Sequence, residues 1–390
     1  MKIAILTSSI MPVPAVQGGA VETLADYYLE YNNRHKLHDI TVYSVYYPTV
    51  RSHPALLSNV NHYRYIDTTS RSAKVRKYLH KLIHRHTYYH YSIDYYCRRA
   101  LTDIRRHDYD LIIIENRPGF ALALQGRTKA RLVYHLHNDF LNSTTNDAAQ
   151  IYQAASKILT VSDYIRSRVQ TCAQQDTKTV TVHNGIDLSS FTTAPSLSRD
   201  DLGFEADDFV LVFSGRLIRE KGILELAEAM NLLAAYPQIK LLVMGSAFYG
   251  NASSDDDFIR ELKLLVSGLK KRIRFTGYVD HDTVPDYLRL SDAAVIPSTW
   301  EEPFGLTVLE GMAAGLPIIT TNRGGIPEIV SMANAIVIPY PCDLAICLSN
   351  AILSLYRDKQ RQQSMGEASR RLSERYAKEL YARKFFESLV

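Results

Sequence analysis

The chain alternates short runs of consecutive apolar residues with longer stretches in which apolar residues recur every three or four positions. Lys2 to Thr7 and Ile40 to Val45 are short runs rich in β-branched residues, and between them Val21, Leu24, Ala25, Tyr28 and Leu29 keep helical spacing. The opening therefore predicts β-α-β. Leu111 to Ile114, Leu132 to His135 and Ile158 to Val161 are further apolar runs without polar alternation, as expected of strands covered on both faces of a parallel sheet. Before them, Val75, Leu79, Leu82, Tyr89, Ile93, Cys97, Ala100 and Ile104 lie at three- and four-residue steps, which predicts one or two long amphipathic helices.

A second series of the same kind starts near Phe209. Strands are predicted at Val210 to Ser214, Ile239 to Gly245, Ile273 to Phe275, Ala293 to Pro297, Pro317 to Thr321 and Ala335 to Ile338. Helices are predicted at Ile223 to Leu233, Phe258 to Leu269 and Leu306 to Ala314. The fold class is α/β, with two Rossmann-like halves. The polar stretch Thr192 to Asp208 reads as the join, so the expected domains are 1–190 and 191–370, with a charged C-terminal helix in 371–390 that could fold back on the first domain.

At 390 residues the chain exceeds one ordinary core, in keeping with two domains. No apolar run approaches 18 residues, and the N-terminal run reads as a first strand, not a leader, so a cytoplasmic location is expected. Cys97, Cys172, Cys342 and Cys347 match no zinc or redox spacing, so no metal is expected from them. Net charge is only +4, but His62 to Tyr109 holds eleven Lys/Arg, four Asp, no Glu and nine Tyr. Cations interleaved with aromatics suit an anionic membrane surface, with Lys74, Arg76, Lys77, Lys81 and Arg85 as candidate contacts, or else a solvated helix. Nothing in the pattern indicates nucleic acid.

The densest chemistry is Ser298-Thr-Trp-Glu-Glu302-Pro-Phe-Gly305-Leu-Thr-Val-Leu-Glu310, followed by Gly324-Gly325-Ile-Pro-Glu328. It places one carboxylate in a loop and a second inside a helix starting near Phe304. Free backbone N–H groups at that helix start, including those of Phe304, Gly305, Leu306 and Thr307, could bind a diphosphate, while Glu302 and Glu310 accept from hydroxyls on either side. Phe213-Ser-Gly215-Arg216-Leu-Ile-Arg-Glu-Lys221 follows a strand and sets two cations where a leaving diphosphate would sit, without a metal.

These motifs resemble those of family four of the retaining glycosyltransferases, through the E-x7-E pair and the R-x4-K loop. The resemblance implies the GT-B architecture, two Rossmann-like domains with parallel sheets facing across a cleft. It implies that Glu302 contacts the transferred sugar, that Glu310 contacts the ribose, and that Arg216 and Lys221 bind the diphosphate of a nucleotide sugar, a UDP-sugar being the expected one. Pro303 departs from the Gly common in that family. His137, at a strand end, implies a further sugar contact; Gly18 and Gly19 imply close backbone approach to phosphate or acceptor. Asn184, in His-Asn-Gly-Ile-Asp, implies a cleft contact, and Ser162 is a further cleft candidate. Tyr278 and Val279 imply a site for the base. Gly18-Gly19-Ala-Val-Glu-Thr and His-Leu-His-Asn look most like hexose or N-acetylhexosamine transferases of lipopolysaccharide-core and capsule assembly. A sugar-nucleotide epimerase of the same fold, or an inactive nucleotide-sugar-binding partner of a transferase, are the alternatives.

Overall fold

The computed structural model describes residues 1–84, 88–245, 257–269 and 271–389. The chain divides into two compact units, Met1–Gly185 with Lys378–Val390, and Ile186–Ala377.

In the first unit seven strands, β1 to β7, run Lys2–Leu6, Asp39–Val45, Asn61–Ile66, Leu111–Glu115, Arg131–Leu136, Lys157–Thr160 and Thr179–Thr181. They form one parallel sheet in the order β3-β2-β1-β4-β5-β6-β7. Ile3 to Leu6 and Leu111 to Ile114 are fully buried, because helices cover both faces. The edge strand β3 escapes the sequence pattern: Asn61-His-Tyr-Arg-Tyr-Ile has the alternation of a strand with one wet face, and it lies just before the stretch predicted to be helical.

The predicted amphipathic stretch is two helices, Arg71–Ile83 and Tyr91–Ile104. They differ in burial. The second buries Tyr95, Tyr96, Cys97, Ala100, Leu101 and Ile104. In the first only Ala73 is buried, and Val75, Tyr78, Leu79, Leu82 and Ile83 are exposed, Ile83 at 75%. That helix is held by Ala73 and by His80, whose Nε2 lies 2.8 Å from Asp94 Oδ2. Arg85 lies outside the described residues.

The helix Lys378–Glu387 completes this unit. Phe385 stacks on Tyr28 of the helix Ala20–His35, with ring centroids 4.2 Å apart. Gly185 permits the approach, since a Cβ there would lie 2.7 Å from Tyr381 Cβ.

In the second unit β8 to β13 run Phe209–Ser214, Ile239–Met244, Ile273–Gly277, Ala293–Ile296, Ile318–Thr321 and Ala335–Ile338, in the order β10-β9-β8-β11-β12-β13, all parallel. The predicted join Thr192 to Asp208 belongs to this unit. Arg199 anchors it, with Nε donating to the Leu290 carbonyl at 3.0 Å and Nη2 to Asp292 at 2.9 Å. Such fixed backbone partners make the stretch part of a domain in spite of its polar composition.

Candidate active site

Each sheet reverses its strand order once, β1 beside β4 and β8 beside β11. Loops leaving neighbouring strands diverge at such a point and open a crevice at the carboxyl ends. Most of the predicted site residues follow strands at or next to these points, in two groups, one in each unit; Ser162, Asn184, Tyr278 and Val279 follow strands farther along the sheets.

In the second unit Gly215 and Arg216 follow β8, and Ser298 to Glu302 follow β11. Glu302 is 5% exposed; its Oε1 accepts from Lys221 Nζ at 2.6 Å and from Ser298 Oγ at 2.5 Å. Lys221 also lies over the Trp300 ring, 5.7 Å from its centroid. Arg216 is exposed. Two R-x4-K and E-x7-E residues far apart in sequence thus form one ion pair, with Ser298 as a third member that spacing alone did not identify.

The loop that carries Glu302 is held from behind. Glu301 pairs with Arg323 at 2.8 Å and accepts from the Gly324 N–H, while the Gly325 N–H donates to the Glu302 carbonyl at 2.8 Å. Gly324 has φ 57°, and a Cβ there would fall 2.0 Å from the Glu302 carbonyl oxygen. Only glycine fits.

The helix expected near Phe304 runs Leu306–Ala313 with Gly305 as its cap, so Glu310 stands just over one turn inside it, not two. The N–H groups of Leu306 and Thr307 make no hydrogen bond among the described residues. Phe304 is 2% exposed and packs edge-on against Tyr376, so its ring is structural and only its backbone can meet a ligand. Glu310 is half-buried, and its carboxylate makes no hydrogen bond or ion pair among the described residues. Burial raises its pKa, against a smaller opposing pull from His281. Tyr278 and Val279 follow β10, with Tyr278 exposed.

In the first unit His137 follows β5, and its Nε2 lies 2.9 Å from Glu115 Oε2. Glu115 ends β4 and is 1% exposed. His135 Nδ1 lies 3.0 Å from the same carboxylate, and Tyr28 donates to it at 2.9 Å. Sequence reasoning missed Glu115, although an acid closing the wholly apolar run Leu-Ile-Ile-Ile was the available signal. Glu115, His135 and His137 bring metal-type ligand atoms within 4.8 Å of one another, but hydrogen bonds at 2.9–3.0 Å occupy those atoms.

Gly18 and Gly19 precede the helix Ala20–His35 as expected, and behind Gly19 the buried Glu22 accepts from Ser8 Oγ at 2.6 Å. Arg117, after β4, donates to the Ser8 carbonyl at 3.2 Å and lies over the Tyr89 and Phe140 rings. Two cleft candidates are otherwise engaged or enclosed. Ser162 is fully buried and caps the helix Asp163–Gln170, accepting from the Ile165 N–H at 3.1 Å. Asn184 is 4% exposed.

Two family models divide the chain: residues 34–190 match Glycosyltransferase Family 4, and residues 196–372 match Glycosyl transferases group 1. The chain belongs to this glycosyltransferase family. Spore coat protein SA of Bacillus subtilis is 27% identical to this glycosyltransferase over 390 residues, spanning 96% of this chain and 95% of that one. Lipopolysaccharide 1,2-N-acetylglucosaminetransferase of Salmonella typhimurium is 25% identical over 285 residues, 72% of each chain. The crystal structure of Anabaena HepE in complex with UDP and glucose superposes with a TM-score of 0.74 at 22% identity, covering 100% of this chain and 99% of that one. The fold is therefore GT-B, two Rossmann-like units, as the motifs implied.

Proposed function

We propose that this glycosyltransferase is a retaining, metal-independent enzyme that moves a hexose or N-acetylhexosamine from a UDP-sugar to a glycan or lipid-linked glycan in surface polysaccharide synthesis. The observation that carries the reading is the Lys221–Glu302–Ser298 cluster beside a helix start whose Leu306 and Thr307 N–H groups make no hydrogen bond among the described residues, with the Glu310 carboxylate inside that helix. Cations and amides oppose the charge of a departing diphosphate, and carboxylates grip hydroxyls, so positioning and electrostatics do the work. Arg216 and Lys221 take the diphosphate, Glu310 the ribose, Tyr278 and Val279 the base, and Glu302 and His137 the transferred sugar. The leaving phosphate receives the acceptor proton as the acceptor oxygen attacks from the same face. The relatives support the substrate class: one is described as an N-acetylglucosaminetransferase of lipopolysaccharide, and HepE was solved with UDP.

Thermal shift with UDP, GDP, ADP and their sugars tests the donor; a rise of several degrees with UDP alone is expected, and a rise with GDP or ADP instead overturns the UDP assignment. Chelation should leave turnover within twofold. A tenfold loss restored by Mg²⁺ or Mn²⁺ contradicts metal independence.

The membrane is the second element of the proposal. No described helix is long and apolar enough to cross a bilayer. The helix Arg71–Ile83 instead exposes Val75, Leu79, Leu82 and Ile83 together with Lys74, Arg76 and Lys81, with Lys77 half-buried, which suits shallow insertion into an anionic leaflet. Co-sedimentation with phosphatidylglycerol vesicles should be strong, should fall with salt, and should be lost when those four cations become Gln. Equal sedimentation with phosphatidylcholine vesicles removes the electrostatic part.

A further inference from the structure

The Glu115 carboxylate is buried and meets three side chains, Tyr28, His135 and His137. Burial alone would push its pKa up, but the imidazole of His135, by charge and hydrogen bond, and that of His137 pull it well below the usual carboxylate range. An ionised carboxylate has no proton to donate, so each ring nitrogen facing it carries a hydrogen: Nδ1 of His135 and Nε2 of His137. Burial and the neighbouring His135 lower the His137 pKa to about 4, so the ring is neutral at pH 7.

A neutral imidazole has one N–H. In His137 it is used on Glu115, so Nδ1 keeps a bare lone pair, and that atom is buried with no hydrogen-bond partner among the described residues. A buried acceptor left unmet is costly. His135 Nε2 is also unmet, but the His135 ring lies against Phe385 and Tyr381, with centroids at 5.2 and 6.4 Å. His137 is held by its backbone as well, its N–H donating to Asn116 Oδ1 at 3.1 Å from a residue with φ 56°. Such a positive φ in a non-glycine residue is maintained by its surroundings.

We propose that Glu115 is a positioning residue that fixes the tautomer of His137, so that His137 meets the substrate through Nδ1 as the acceptor of a sugar hydroxyl. This rests on the reading of His137 as a sugar contact. It assigns His137 the role of a neutral acceptor, and excludes general acid or cation.

The tautomer is read by two-bond proton–nitrogen correlation spectra of ¹⁵N-histidine-labelled protein, with the His137 signals assigned by their loss in His137→Asn. Nε2–H with bare Nδ1 is expected. In Glu115→Gln, which keeps the shape but offers an N–H to one of the rings, a mixed or inverted tautomer is expected. UDP release from UDP-glucose and UDP-N-acetylglucosamine should drop at least tenfold in kcat, with UDP affinity by calorimetry unchanged. Glu115→Asp, which keeps the carboxylate, should restore the Nε2–H tautomer and part of the rate. A wild-type His137 protonated on Nδ1, or a Glu115→Gln enzyme with wild-type tautomer and kcat, overturns the proposal. If His137→Asn is fully active, the sugar-contact reading itself falls; if it is inactive while the wild-type proton sits on Nδ1, that reading stands and only the tautomer assignment fails.

Discussion

Lys221 Nζ lies 2.6 Å from Glu302 Oε1, joining the loop after β8 to the loop after β11, with 16% and 7% of their side chains exposed. Each charge is the other's main compensation, so removing one leaves its partner poorly solvated. Lys221→Met is expected to lower kcat/KM by about 10²–10³, as for loss of one preorganised charge at the reacting centre. Glu302→Gln should cost a similar factor. The double variant should be no worse than the poorer single, because the two act as a unit. Steady-state kinetics of the three variants check this, and additive losses would separate the residues.

Glu310→Ala should weaken UDP binding by about 1.5–3 kcal/mol, the cost of removing charge-assisted hydrogen bonds to a ribose. Since burial raises the Glu310 pKa, protonation competes with this role as pH falls through the raised value. UDP affinity measured by calorimetry should decline there in wild type and stay flat in Glu310→Gln.

Asp26 accepts from the Ala15 N–H at 2.8 Å, yet burial and then the like charges of Glu22 and Glu30 raise its pKa to about 7. Its unfolded value is near 3.9. The native state therefore binds the proton more tightly, and the stability this gives is full below about pH 4 and is lost as pH rises to about 7. Asp26→Asn should have a higher Tm than wild type at pH 8, and the gain should vanish at pH 4. A constant difference across that range would rule out titration of Asp26 as the cause.

Gly324→Ala sets a methyl 2.0 Å from the Glu302 carbonyl oxygen at a φ of 57°. A destabilisation of about 2–4 kcal/mol is expected from overpacking and backbone strain together. Urea unfolding measures it, and turnover should drop more than UDP affinity because Glu302 is displaced. Wild-type stability would show that the loop can shift without cost.

Much of the architecture was legible in order along the chain. The apolar runs at Lys2, Leu111, Leu132, Val210 and Ile239 are strands because burial on both faces leaves no polar alternation, and that signature needs no tertiary information. Asn61–Ile66 was not legible, because an edge strand keeps one wet face and its neighbours Val75 and Leu79 carry a helical period. The same period placed Leu79 and Cys97 in one amphipathic pattern, but Cys97 is buried and Leu79 is exposed. Periodicity reports a face; it does not report whether anything packs against it.

The sequence by itself determined the two αβ series and the chemical types at Glu302, Glu310, Arg216, Lys221 and His137, since each sits in a local motif whose spacing is a property of one loop or helix. Only the tertiary structure decided that Lys221 pairs with Glu302, that Glu115 draws Tyr28, His135 and His137 together, and that Ser162 and the Phe304 ring serve the fold. Those relations join residues as many as 87 positions apart, brought close because parallel strands place all their carboxyl ends on one edge, where chain distance no longer measures spatial distance.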